Sequence, residues 1–236
     1  LSGTYGYSSR SSIRTYHIWK KSQLKGECGA AYALLPHSRA QYIKRKEMFR
    51  MRKNFGAKAY TYPQPVFILA AYDKNGKPNA MNAAWGGVAD SSRVAMYLSG
   101  GHKTVKNILK RGAFTVSMGD AEHAAACDYV GIVSGNSVPD KVARAGFHVT
   151  KSEHVDAPMI DELPLTLECK LVSFDEETEL LLGEVVNVSV DERALDENGK
   201  LDVAKLHIIT FDSANHDYFA LGEKVGRAFE DGKKLK

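Results

Sequence analysis

Cysteine is scarce in this chain: Cys28, Cys127 and Cys169 stand alone, with no Cys-x-x-Cys pair among them. An odd, widely spaced set cannot build a disulfide framework within one chain, and it points to a reducing compartment. Long apolar runs are also missing, so no segment approaches membrane-spanning length, and residues 1–47 lack the apolar core of a secretory signal. There is no Gly-x-Gly-x-x-Gly between a strand and a helix, no βαβ rhythm and no internal repeat, which disfavours a Rossmann cofactor domain. His123, His148, His154, His207 and His216 lack the paired spacing of a zinc or di-iron site, and no metal is expected.

Acidic residues are rare at the start of the chain. Residues 1–53 carry 12 Lys/Arg against 2 Asp/Glu, leaving 20 against 26 for the remainder, so the overall +4 hides a basic leader and an acidic body. The body has no Lys/Arg stripe interleaved with aromatics, and its composition gives no support to a nucleic-acid partner. Residues 1–47 are expected to lie outside the fold, as a translated upstream segment with Met48 or Met51 as the natural start. An Arg- and Ser-rich transit peptide is the alternative, since only Glu27 and Glu47 are acidic there. The domain is expected over 48–236, in the cytoplasm, or in an organelle if the leader is a transit peptide. A chain of 236 residues with 44% hydrophobic content can bury a sizeable core.

What is present reads as mainly β with helices. Val66 to Tyr72 is a strand, Asp73 to Lys77 a hairpin turn in which Asn75-Gly76 supplies positive φ, and Pro78 to Trp85 the return strand. Val94 to Leu98 and Phe114 to Met118 are strands around a helix over Thr104–Arg111. A helix over Glu122–Val130 leads into a Gly/Ser/Asn/Pro loop, with a helical turn near Lys141–Ala145. Leu165 to Phe174 and Leu180 to Val190 are two long strands joined by an acidic turn. Leu206 to Phe211 is a further strand, and Asp217 to Phe229 a closing helix. Cys169 shares the strand face of Leu165, Leu167 and Leu171, which makes it a small buried hydrophobe.

Two clusters carry the functional signal. From Asn79 to Gly87, small residues, amides and Trp85 alternate where a core strand would carry branched aliphatics, so a flat group could approach the backbone. From Ser99 to Thr104, a Gly-rich polar stretch precedes a helix, whose first turn leaves N–H groups unpaired at the positive end of the dipole. Gly100 and Gly101 permit a sharp turn, Thr104 offers a hydroxyl, and His102, Lys103 and Lys106 offer positive charge. Taken singly, the first could be a Gly-broken strand with Trp85 in the core, and the second a loop with a solvated basic face. Together they suggest a ring platform beside a phosphate anchor, as flavin mononucleotide (FMN) requires.

On these residues the chain resembles the flavin reductase-like FMN-binding split-barrel family, in its flavoredoxin-type branch. The resemblance is carried by Asn79-Ala80-Met81 leading to Ala84-Trp85-Gly86-Gly87, by His102-Lys103-Thr104 with Asn107-Ile108, and by Phe114-Thr115-Val116-Ser117. It continues through Asp128 to Gly135, Val155 to Pro158, Leu167 to Lys170 and Tyr218 to Gly222. It implies a homodimeric Greek-key split barrel with FMN near the subunit interface. Asn82 and the backbone of Ala83, Ala84 and Trp85 are then expected at the ring edge. Ser99, Gly101, His102, Lys103 and Thr104 are expected at the phosphate, and Ser134 and Lys141 as a second wall. Tyr218 and Phe219 cover the flavin or the dimer seam, or pack the core. A Thr or Ser is usual in that branch where Ala83 or Ala84 stands, so a side-chain hydrogen bond to the ring is missing here. Two redox functions are implied: a carrier that keeps its FMN and passes electrons to a redox partner protein, or a reductase that uses NAD(P)H and releases reduced flavin to an oxygenase. A binding module without redox turnover is the third reading.

Overall fold

Phe67, Leu69 and Ala71 point to one side of their strand and Ile68 and Ala70 to the other, and all five are buried. A strand covered on both faces needs such an unbroken apolar run, and it becomes the spine of the fold. The computed structural model describes residues 52–236, and every element named below belongs to one unit, Ala57–Lys236. The expectations for residues 1–47 and for Cys28 lie outside the described residues.

Strands β2 (Phe67–Tyr72), β3 (Pro78–Ala83), β4 (Gly86–Val88), β5 (Arg93–Tyr97), β6 (Ala113–Met118), β9 (Leu165–Asp175) and β10 (Leu180–Val190) form one antiparallel sheet, in the order β3-β2-β6-β9-β10-β5-β4. The edge strands β3 and β4 are separated in sequence only by Ala84 and Trp85. Three peptide steps span at most about 10 Å, so the two edges must meet at that end and the sheet must curl. The product is a Greek-key split barrel, mainly β with helices. Gly86 sits at the closure: a Cβ there would stand 2.5 Å from Met96 Cγ and 2.7 Å from the Ala95 carbonyl oxygen. The small residues of this stretch therefore serve strand packing at Gly86, where the sequence alone suggested room for a ligand.

The helices are α1 (Lys103–Arg111), α2 (Ala124–Ile132) and α3 (Lys141–Arg144). Val105 and Ile108 of α1 join the core around Leu69, Met96, Phe114 and Leu181, while Cys127, Val130 and Val142 of α2 and α3 pack with Ile68, Ala70 and Ala80 on the other side of the sheet. Helix α1 ends where Gly112 takes φ 69° and donates its N–H to the Ile108 carbonyl, with Lys110 and Arg111 at the negative end of the dipole. The turn between β2 and β3 is held by the Asp73 carboxylate, which accepts from the N–H of Asn75 at 2.8 Å and of Lys77 at 3.0 Å. Among the described residues no helix is long and apolar enough to cross a membrane.

Two expectations are corrected at the C-terminal end. The helix expected over Asp217–Phe229 is absent: Asp217–Ala220 is a strand, β12, pairing antiparallel with β11 (Ile209–Asp212), and β1 (Gln64–Pro65) completes this small sheet. Leu221, Val225 and Phe229 do lie at helical spacing, but all three are exposed, so this unit offers no surface for the stripe to bury and β11 captures the backbone before it. The strand expected from Leu206 starts later, because Val203–Leu206 is a 3₁₀ turn and His207 follows with φ 48°. The short β4 and the pair β7 (Val149–Lys151) with β8 (Pro158–Ile160) were not anticipated.

Candidate functional site

Among the described residues no strand pairs with β3 on its outer side, and a cavity of about 230 Å³ lies along it. Its wall is made by Asn79, Met81 and Asn82 of β3, by His102, Lys103 and Thr104 at the start of α1, and by Gly131 to Gly135 at the end of α2 with Lys141 at the start of α3. Among the described residues the lining contains two lysines and no carboxylate. Such a wall favours an anion.

The start of α1 supplies backbone donors. His102 occupies the N-cap without a side-chain cap bond, and the first turn has no acidic residue. Among the described residues the N–H groups of Lys103, Thr104 and Val105 have no acceptor. The Thr104 hydroxyl is not available in the way the sequence suggested. It is buried and donates to Asn79 Oδ1 at 2.8 Å, so what Thr104 offers a ligand is its backbone N–H. Asn79, which sequence reading passed over as a site residue, thereby ties the edge of β3 to the first turn of α1.

Lys141 closes the opposite wall. The residue is 3% exposed, and its ammonium donates to the Val130 carbonyl at 2.8 Å and the Val133 carbonyl at 2.7 Å, capping the C-terminal end of α2. An ammonium has three donors, so one is left for the cavity. Burial pushes this lysine down to about 8. The glycines beside it bring the helix segment close: a Cβ on Gly131 would stand 2.9 Å from Asn82 Cβ, and one on Gly135 would overlap the Asn79 amide.

Asn82, His102, Lys103, Thr104, Ser134 and Lys141 thus share one cavity. The other expected site residues lie elsewhere. Ala83 is buried in the barrel core. Ala84 and Trp85 line a separate groove of about 660 Å³ with Tyr60, Gln64, Val88 and Tyr97, and Trp85 is 67% exposed, so it fills no core in this unit. Ser99 and Gly101 are exposed, outside the cavity wall; Ser99 Oγ accepts only a long 3.5 Å bond from the Gly101 N–H. Cys127 and Cys169 are buried, and burial pushes both thiols up to about 12. Neither is a reactive thiolate. Among the described residues no group of three or more His, Cys, Asp or Glu could hold a metal ion.

A curled antiparallel half-barrel with an acid-free cavity at one edge defines the class as a split-barrel protein. Residues 59–206 match the flavin reductase like domain, and the chain belongs to that family. It is 38% identical to the flavoredoxin of Desulfovibrio vulgaris (Miyazaki F), covering 77% of this chain and 100% of that one with a TM-score of 0.74. Against the flavoredoxin from Methanosarcina acetivorans the identity is 29%, the coverage 78% and 99%, and the TM-score 0.70. The FMN-binding domain of a flavin reductases-like enzyme from Shewanella baltica OS155 shares the fold at 20% identity, over 70% of this chain and 89% of that one, with a TM-score of 0.63.

FMN is the cofactor this family binds, and the donor set fits it. Lys103, the free N–H groups of α1 and Lys141 suit a phosphate dianion, and Asn82 places an amide on the same wall.

Proposed function

We propose that this protein is a flavoredoxin-like electron carrier that binds FMN, with the phosphate at the first turn of α1 and the ring beginning beside Asn82. The observation that supports it most is the cavity wall itself, where two lysines and the N–H groups that open α1 stand together and no carboxylate is among the described lining residues. Bound FMN would supply the electron-accepting chemistry, while the chain holds the phosphate, orients the ring and limits water.

At about 230 Å³ the cavity is smaller than the roughly 300 Å³ at which sites for whole small ligands begin. It accommodates the phosphate end and the ring edge beside Asn82, and leaves the rest of the ring outside. This favours a site completed by a second copy of the chain, and the groove beside Trp85, with exposed Val88 and Tyr97, is an apolar surface suited to that contact.

The test is to purify the protein, record its visible spectrum, and then reduce it chemically. A yellow protein that bleaches and keeps its flavin through gel filtration supports the carrier. Flavin lost on reduction, with turnover on NADH or NADPH, indicates instead a reductase that releases its product. A colourless protein that takes up no added FMN refutes both.

A further inference from the structure

Asn82 sits in a hydrogen-bond chain whose direction is fixed by its two ends. The Cys127 carbonyl, 3.2 Å from Asn82 Nδ2, can only accept, so the amide must turn its NH₂ toward it. At the other end the Asp128 carboxylate accepts from the Tyr218 hydroxyl at 2.9 Å. That commits the phenol proton to Asp128 and leaves the phenol oxygen to accept from Asn82 Nδ2, at a longer 3.4 Å. Burial first, and then the Asp128 carboxylate, push Tyr218 up to about 12, so the hydroxyl keeps its proton at any ordinary pH.

Both amide protons of Asn82 are therefore spent on the protein, and among the described residues Oδ1 is the one polar atom of this cavity-lining side chain without a partner. The amide also has no room to retreat, because α2 is pressed against it where Gly131 lacks a side chain. Tyr218 reaches this position because its segment pairs with β11 instead of forming a helix. The wall consequently presents an acceptor. Its ligand must bring a donor.

Resting on the FMN reading above, we propose that Tyr218 and Asp128 are positioning residues that lock the Asn82 amide with its oxygen toward the ligand, where it takes the N3–H of the flavin. The oxidised isoalloxazine, substituted at N10, has that one ring N–H and otherwise only acceptors along its polar edge. An acceptor held in this orientation therefore selects one edge of the ring. An amide free to flip would present either group and select neither.

The experiment is a binding titration, followed by flavin fluorescence, of FMN, riboflavin and 3-methyl-FMN, in which the N3–H is replaced by a methyl group. Unaltered protein is expected to bind 3-methyl-FMN about tenfold or more weakly than FMN, as the loss of one buried hydrogen bond would give. Asn82→Ala should weaken FMN and largely abolish that discrimination. Tyr218→Phe should weaken FMN and riboflavin by the same factor, since the phosphate is not involved, and should reduce the preference for FMN over its methylated form. Equal binding of FMN and 3-methyl-FMN by the unaltered protein would overturn the inference without any variant having to fold. A Tyr218→Phe protein with unchanged discrimination would reduce Tyr218 to a packing role and overturn it as well. Failure of the unaltered protein to bind FMN at all would instead sink the cofactor reading on which it rests.

Discussion

The Thr104 hydroxyl donates to Asn79 Oδ1 at 2.8 Å, and both side chains are buried. This bond joins the outer strand of the sheet to the first turn of α1, and so fixes where the free N–H groups of that turn point. Thr104→Ala would leave Asn79 Oδ1 without a donor, at a cost of about 1–3 kcal/mol in unfolding free energy by urea denaturation. Thr104→Ser should recover most of it.

Lys103→Ala should act on the ligand instead. Losing a charge-assisted hydrogen bond to phosphate, worth about 1.5–3 kcal/mol, predicts FMN binding weaker by roughly one to two orders of magnitude. Riboflavin, lacking the phosphate, should be almost unaffected. Equal weakening of the two in a fluorescence titration would remove Lys103 from the phosphate site.

Lys141 predicts a pH dependence. Because burial pushes it down to about 8, its positive charge is present below that pH and is lost as pH rises through it. FMN affinity should fall between about pH 7 and 9, a range in which the phosphate is already a dianion and does not itself titrate. Riboflavin should show a much smaller change. Lys141→Met, which keeps the length but has no charge at any pH, should bind FMN weakly and flatten the profile.

The closure of the barrel can be probed by two neighbouring glycines. A Cβ on Gly86 would press on Met96 and the Ala95 carbonyl, whereas one on Gly87 would meet nothing within 4 Å. Gly86→Ala should therefore destabilise the fold by about 1–3 kcal/mol in a thermal or urea melt, and Gly87→Ala should stay within about 1 kcal/mol of the parent.

The groove beside Trp85 predicts a homodimer. Light scattering should give twice the chain mass at micromolar concentration, and Trp85→Ser with Tyr97→Ser should shift it toward the monomer while weakening flavin retention. A monomeric parent that still binds FMN tightly would detach the groove from the site.

The long strands were legible because alternation along Leu165 to Phe174 and Leu180 to Val190 is a local pattern, bounded by a turn in which Asp175 accepts from the N–H groups of Glu177 and Thr178. Helix α1 was legible from its polar start. The stretch after Asp217 misled because helical spacing is a statement about one segment, while its strand depends on β11 being in reach. The same limit applies at the cavity. Lys103 and Thr104 announce a helix start, but the partnership of Thr104 with Asn79 spans 25 positions, and that of Asn82 with Tyr218 spans 136. The signal that could have found Asn79 was present, since it opens the amide-rich run that drew attention to Asn82. Gly131 and Gly135, flanking Ser134, could likewise have been read as places of close backbone approach.

The link from β3 to β4 also bears on how the chain reaches this state. Three of the six pairings in the sheet must find partners far along the chain, as β6 does with β9, and each such search confines a long stretch of disordered polypeptide. Bringing the two edges together confines only Ala84 and Trp85. Once the spine around β2, β6 and β9 has assembled, rolling the sheet shut adds almost no further entropic barrier. The slow step in forming the barrel is expected to be the marriage of its middle strands, with the seam following at once.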